Sequence, residues 1–126
     1  MTRYEQYKEF NEMVVSLLLY AKVRGFPIRL GEAHRPQMVA DDYAKRGVGI
    51  KNSKHIWSLA LDVWLATGKT GKGIGWVTRN PTKPENIALK QKYEDMGRMW
   101  KKLGGTWGGD FKKYDCYHFE LKGKVA

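Results

Sequence analysis

Phe10, Met13, Val14, Leu17, Leu18 and Ala21 recur at three- and four-residue steps, which predicts one amphipathic helix from Tyr4 to Arg24. Gly25 follows as a stop. Ile28 to Ala33 reads as a short strand that ends at His34-Arg35-Pro36. Pro36 suits the first position of a second helix, which the pattern carries to about Arg46 before Gly47. Gly47 to Lys54 is polar and predicts a loop. Leu59 to Leu65 is apolar and partly β-branched, the pattern of a central strand, with one acid, Asp62, inside it. The glycines between Thr67 and Lys83 predict a loop or loose hairpin, from which Trp76-Val77 dips back into the core. Ile87, Leu89, Tyr93, Met96, Met99, Trp100 and Leu103 mark a third helix from Pro84 to Leu103, ended by Gly104-Gly105. Trp107-Gly108-Gly109 predicts a turn, and Tyr117 to Leu121 alternates as a closing strand. No repeat, low-complexity tract or linker interrupts the 126 residues. The expectation is one α+β domain over 1–126, a small antiparallel sheet with about three helices packed on it.

Composition narrows the partners. No apolar run approaches the ~18 residues of a membrane-spanning helix, so no membrane insertion is expected. The polar, charged N-terminus lacks the apolar stretch of a signal peptide, so the chain is expected to stay in the cytoplasm where it is made. A single cysteine, Cys116, excludes an internal disulfide and a CxxC metal site. The formal charge of +10 suggests an anionic partner, either nucleic acid or an anionic polymer such as a bacterial wall. The basic residues are spread along the chain and form no recognisable nucleic-acid-binding module, so nucleic acid is the weaker reading.

Two segments are odd for a pure scaffold: Ser53 to Asp62 and Asp115 to Glu120. They carry two of the three histidines, and each sets an acid among large apolar neighbours. An acid at Asp62 is costly to bury unless a cation or hydrogen-bond donors satisfy it. An arginine partner or a turn cap would serve as well as a metal. Zinc needs its donor atoms within about 2.0–2.2 Å of the ion. His55 and Asp62 are seven residues apart, which is about 10.5 Å of rise on one helix. On one straight strand that odd spacing puts them on opposite faces. Shared ligation requires a bend at Ile56-Trp57-Ser58, with His118 arriving from a neighbouring strand. Spacing permits the site without proving it.

These residues resemble a known family, the zinc D-Ala-D-Ala carboxypeptidase and dipeptidase superfamily, which includes short phage endolysins that cleave L-alanyl-D-glutamate bonds. Its pattern is S-x-H-x-x-G-x-A-x-D, then near the C-terminus an acid, two residues and histidine. Ser53, His55, Ala60 and Asp62 fill the first part, and Asp115 and His118 the second. Ser58 stands where the family has glycine, a replacement that a positive φ would disfavour. His34-Arg35-Pro36-Gln37 matches the family's upstream arginine stretch with its nearby glutamine, and Trp107-Gly108-Gly109-Asp110 its tryptophan-glycine turn. The likeness runs from about Leu30 to Leu121.

The resemblance implies Zn2+ held by His55, Asp62 and His118 at a site on the sheet. It makes Asp115 the general base and Arg35 the cation that steadies substrate or the developing oxyanion. Ser53, Gln37, Glu120 and Trp107 are expected to bind substrate or support the ligands. Cys116 is read as a buried, inert thiol, and His34 has no motif role.

The function implied is hydrolysis of a stem peptide of bacterial peptidoglycan, first as an L-alanyl-D-glutamate endopeptidase of the phage-endolysin kind. Such an enzyme is expected to act as a monomer without a separate wall-binding domain, and to wait in the host cytoplasm until the membrane is permeabilised. The alternatives are a D-Ala-D-Ala carboxypeptidase or dipeptidase with the same metal site, a family member that has lost catalysis, and a basic nucleic-acid-binding protein.

Overall fold

The computed structural model describes residues 1–49 and 53–126. The predicted loop residues 50–52 lie outside that description. Helix α1 spans Arg3–Val23, with the Thr2 side chain accepting the Glu5 backbone N–H as its cap. Strand β1 is Ile28–Leu30, α2 is Gln37–Lys45, and a single 3-10 turn covers Lys54–Trp57. The long strand β2, Ala60–Thr67, is followed by β3, Gly73–Ile74. Helix α3 is Pro84–Lys102, with Pro84 at its first turn, where a missing N–H costs nothing. Strand β4, Thr106–Trp107, leads into a 3-10 turn at Gly108–Asp110, and β5, His118–Glu120, closes the sheet. The architecture is α+β, with three helices and a five-stranded antiparallel sheet in the order β1-β2-β5-β4, β3 pairing separately with β2.

The period of two along β2 divides the molecule. Leu61, Val63 and Leu65 are buried toward the helices, while Asp62 and Trp64 point to the other face. Phe10, Met13, Leu17 and Ala21 of α1 and Tyr93, Met96 and Trp100 of α3 complete the core. Trp100 stands at its centre, edge-on to Phe10 and to Phe119 of β5, each with ring centroids 5.8 Å apart. Its indole N–H donates to the Glu120 carbonyl, which ties α3 to β5 (2.9 Å).

Three expectations change. The first strand ends at Leu30 rather than Ala33: the Gly31 N–H still reaches the Asp62 carbonyl and the Asp62 N–H the Glu32 carbonyl, but the chain then turns to carry Arg35 across. Val77 is buried as expected, whereas Trp76 is 63% exposed, because residues on either side of it are hydrogen-bonded from below and its ring is turned out. Ile87 lies on the exposed side of α3, outside the run from Tyr93 to Trp100 that meets the core. Helix α2 buries only Ala40 and adds nothing to the main apolar cluster.

Candidate active site

Sheet register makes the first contact of the site. Asp62 of β2 is paired directly with His118 of β5, so both side chains leave the sheet on the face opposite the helices. The His118 Nδ1 lies 3.6 Å from Asp62 Oδ1. His55 reaches the same carboxylate oxygen from outside the sheet, its Nε2 3.3 Å away. The bend that brings it there is the 3-10 turn, whose first N–H groups include one accepted by the buried Ser53 hydroxyl, and then Ser58. Ser58 has φ 57° and ψ 33°, a left-handed conformation no other non-glycine residue adopts among the described residues. That conformation is why glycine suits the position, and the Ser58 hydroxyl meets His34 Nδ1 at 3.2 Å.

The imidazoles are oriented from behind. His55 Nδ1 faces the Ala33 carbonyl at 3.2 Å. A carbonyl only accepts, so the Nδ1 carries the proton and Nε2 is the nitrogen turned to Asp62. His118 Nε2 lies 2.7 Å from Glu120 Oε1, and Lys54 donates to the other Glu120 oxygen (2.6 Å) and to the Leu121 carbonyl (2.8 Å). Glu120 shares a strand face with His118, two residues on, as the alternation requires. The chain Lys54–Glu120–His118 fixes one ring much as outer carboxylates fix metal-binding histidines elsewhere.

Burial opposes every charge here, and the partners decide which side wins. For Asp62, burial works against ionisation but the two imidazoles overcome it, and its pKa falls below the ordinary carboxylate range. Glu120 falls likewise against the same burial, held by His118 and Lys54. Burial works against the His118 cation, yet Asp62 and Glu120 push its pKa up to about 9. Asp115 differs: burial raises its pKa, and His118 offsets this only in part. Burial also pushes the Cys116 thiol up to about 12, which leaves it neutral and unsuited to nucleophilic attack.

The site opens into a cleft of about 510 Å³ whose walls include Arg35, Ser53, Asp115, Trp64, Tyr117 and Phe111. Arg35 is held by two nitrogens on Glu32, over the Tyr43 ring at 5.0 Å, and its backbone N–H donates to the His55 carbonyl. The loop carrying Asp115 is pinned to the turn at Gly108: the Asp115 N–H donates to the Gly108 carbonyl, and a Cβ on Gly108 would come 2.1 Å from the Asp115 carbonyl oxygen. Only glycine fits there.

Of the residues singled out from sequence, His55, Asp62, His118, Asp115, Arg35, Ser53 and Glu120 meet at this cleft. Gln37 and Trp107 are not among its lining. Gln37 stands exposed at the head of α2, its amide donating to Asp41 (3.0 Å). Trp107 is buried, with its indole N–H on the Cys116 carbonyl. Sequence reading passed over Glu32 and Lys54. The acid–x–x–arginine step at Glu32 and Arg35 and the cation beside His55 were the available signals.

One donor atom from each of His55, Asp62 and His118 lies within 4.8 Å of the others. Two imidazole nitrogens and a carboxylate, with second partners on both rings and an open cleft in front, fit a catalytic zinc ion. The sequence profile of the D-alanyl-D-alanine carboxypeptidase family matches residues 46–121, more than half of the chain and the span that holds all three donors. The chain belongs to this family of peptidases. The fold is also that of a Serratia marcescens L-Ala D-Glu endopeptidase, ChiX. The TM-score is 0.53 at 21% identity, over 77% of this chain and 68% of that one. No curated protein matches the chain by sequence.

Proposed function

We propose that this chain is a zinc-dependent peptidase that hydrolyses the stem peptide of bacterial peptidoglycan, at the L-alanyl-D-glutamate bond. The convergence of His55, Asp62 and His118 on one point at the floor of an open cleft carries the reading. The three would hold the ion. Bound zinc supplies Lewis acidity, polarising a carbonyl and making water more acidic. Asp115 faces the same cleft with a raised pKa, so it can take a proton from water and return it to the leaving amine. Arg35, fixed by Glu32, presents a permanent cation to the oxygen on which negative charge develops. Ser53 acts at one remove, by capping the turn that aims His55.

The endopeptidase assignment draws on the fold shared with ChiX, and the family description favours a second reading, release of terminal D-alanine. A lytic role of the phage-endolysin kind belongs to the same proposal. Its support is the charge of +10, which would gather the enzyme on an anionic wall.

Purified protein is expected to solubilise wall sacculi with zinc, to stop on chelation and to resume when zinc is returned. His118→Ala is expected to lose both zinc, by metal analysis, and lysis. Solubilisation that survives complete zinc removal overturns the reading. Mass spectrometry of the released fragments separates the two bonds, since one frees the stem peptide near its attachment and the other frees D-alanine.

A further inference from the structure

Trp76 is the most exposed tryptophan of the chain, and it is held out rather than left out. Two buried tyrosine hydroxyls clamp the backbone on either side of it. The Tyr93 hydroxyl donates to the Gly75 carbonyl (2.7 Å) while accepting the Leu65 N–H (2.9 Å). The Tyr117 hydroxyl donates to the Val77 carbonyl (3.0 Å) while accepting the Val77 N–H (2.8 Å). Tyr117 spends both its donor and an acceptor site on the segment, and Tyr93 ties it to Leu65 of β2, so the segment is fixed although it has almost no secondary structure.

The indole is supported on one side only. Trp76 meets Trp64 with centroids 4.5 Å apart and Tyr117 at 5.2 Å, both edge-on. Trp64 in turn stacks on Tyr117 at 4.2 Å and is locked by Gly31, where a Cβ would come 2.2 Å from its indole nitrogen. Trp76 is also the shared wall of three hollows: the catalytic cleft, a recess of about 590 Å³ and another of about 340 Å³. The side chains bordering those two recesses include Thr67, Thr78, Asn80, Thr82 and Asn86.

A rigid, half-supported indole bordered by amides and hydroxyls, with Lys83, Glu85 and Lys92 also in the recess walls, is the chemistry that receives a sugar ring. The C–H face of the sugar lies on the aromatic plane, and amide and hydroxyl groups take its polar rim. A purely apolar ligand would leave those groups unpaired. We infer that Trp76 is a stacking platform for an N-acetylhexosamine ring of the wall glycan, next to the peptide cleft. The inference rests on the wall-peptide reading and sharpens it: the preferred substrate is a stem peptide still attached to its glycan.

Hydrolysis of one stem peptide is compared free and joined to its disaccharide, for the wild type, Trp76→Ala and Trp76→Phe. In parallel, a β-1,4-linked N-acetylglucosamine tetramer is titrated into each protein and followed by calorimetry. For Trp76→Ala, kcat/KM on the glycan-linked substrate is expected to fall about fivefold to tenfold further than on the free peptide, as loss of one aromatic contact implies. Tetramer binding falls in step, and Trp76→Phe recovers part of both. Equal losses on the two substrates, or tetramer binding indifferent to Trp76, overturns the platform. If the wild type binds the tetramer through Trp76 yet cleaves neither substrate, the peptidase reading fails while the sugar site stands.

Discussion

The two faces of β2 are built on opposite terms. Toward the helices, Leu61, Val63 and Leu65 meet Phe119 and Trp100 in a dry, tightly filled layer. Toward the cleft, the alternate positions Asp62 and Trp64 join two imidazoles, two further carboxylates and a ring of aromatics. One side gains stability from burial. The other gathers buried ionisable groups whose mutual pairing only offsets the cost of desolvating them. A single strand serves both because its side chains alternate. The cleft therefore takes its precision from a core that takes no part in its chemistry.

That division makes substitutions on the two faces fail differently. Trp100→Ala on the core face is expected to cost about 3–5 kcal/mol of unfolding free energy, read from denaturant titration. At temperatures where the variant remains folded, its zinc content stays near the wild-type value. A selective loss of zinc from the folded variant would show that the faces are not independent. Asp115→Asn on the cleft face is expected to lower kcat/KM by about 10²–10⁴-fold, the usual contribution of a positioned base, with zinc retained. Its stability moves the other way. Asp115 has a folded pKa above its unfolded value, so the folded chain binds more protons and loses stability as pH rises from the unfolded pKa through the folded one. Removing that charge is expected to raise the melting temperature of the chelated protein at neutral pH, and the gain should vanish in acid. A lowered melting temperature at neutral pH would contradict the burial of that carboxyl.

The smallest effect is expected at the bend. Ser58→Gly removes the strain of a left-handed serine and loses a hydrogen bond to His34. Since glycine also has more freedom to lose on folding, a net gain of about 0.5 kcal/mol is expected, measured as a shift in denaturant midpoint. A net loss would show that the His34 contact outweighs the backbone strain.

Much of this arrangement was legible in the sequence. Helices α1 and α3 declare themselves through sustained apolar periodicity, β2 through an apolar, partly β-branched run around Asp62, and β5 through alternation around His118. The seven-residue gap between His55 and Asp62 forced a bend, and the 3-10 turn with Ser58 supplies it. What stayed hidden depends on contacts between distant segments. Residue type argues for burying Trp76, and its exposure is imposed by hydroxyls 17 and 41 positions away, at Tyr93 and Tyr117. Glu32 and Lys54 are ordinary charges until the fold sets them behind Arg35 and Glu120. Gln37 and Trp107 fit a motif by order in the chain, which says nothing of whether a side chain reaches the cleft. Ile87 fits the helical period but stays exposed, while Leu89 packs against the edge of the core and full burial on α3 begins at Tyr93.

The three candidate ligands are also anchored unequally, and this sets how they part. Asp62 and His118 face each other across paired strands, so separating them means breaking the centre of the sheet, an event on the scale of global unfolding. His55 rests on one short turn outside the sheet, held by the Ser53 cap and the Ala33 carbonyl. Local opening of that turn swings His55 away while the other two remain in register. How firmly these residues would retain an ion therefore depends on residues 53–58, on the stability of the turn and not of the whole fold.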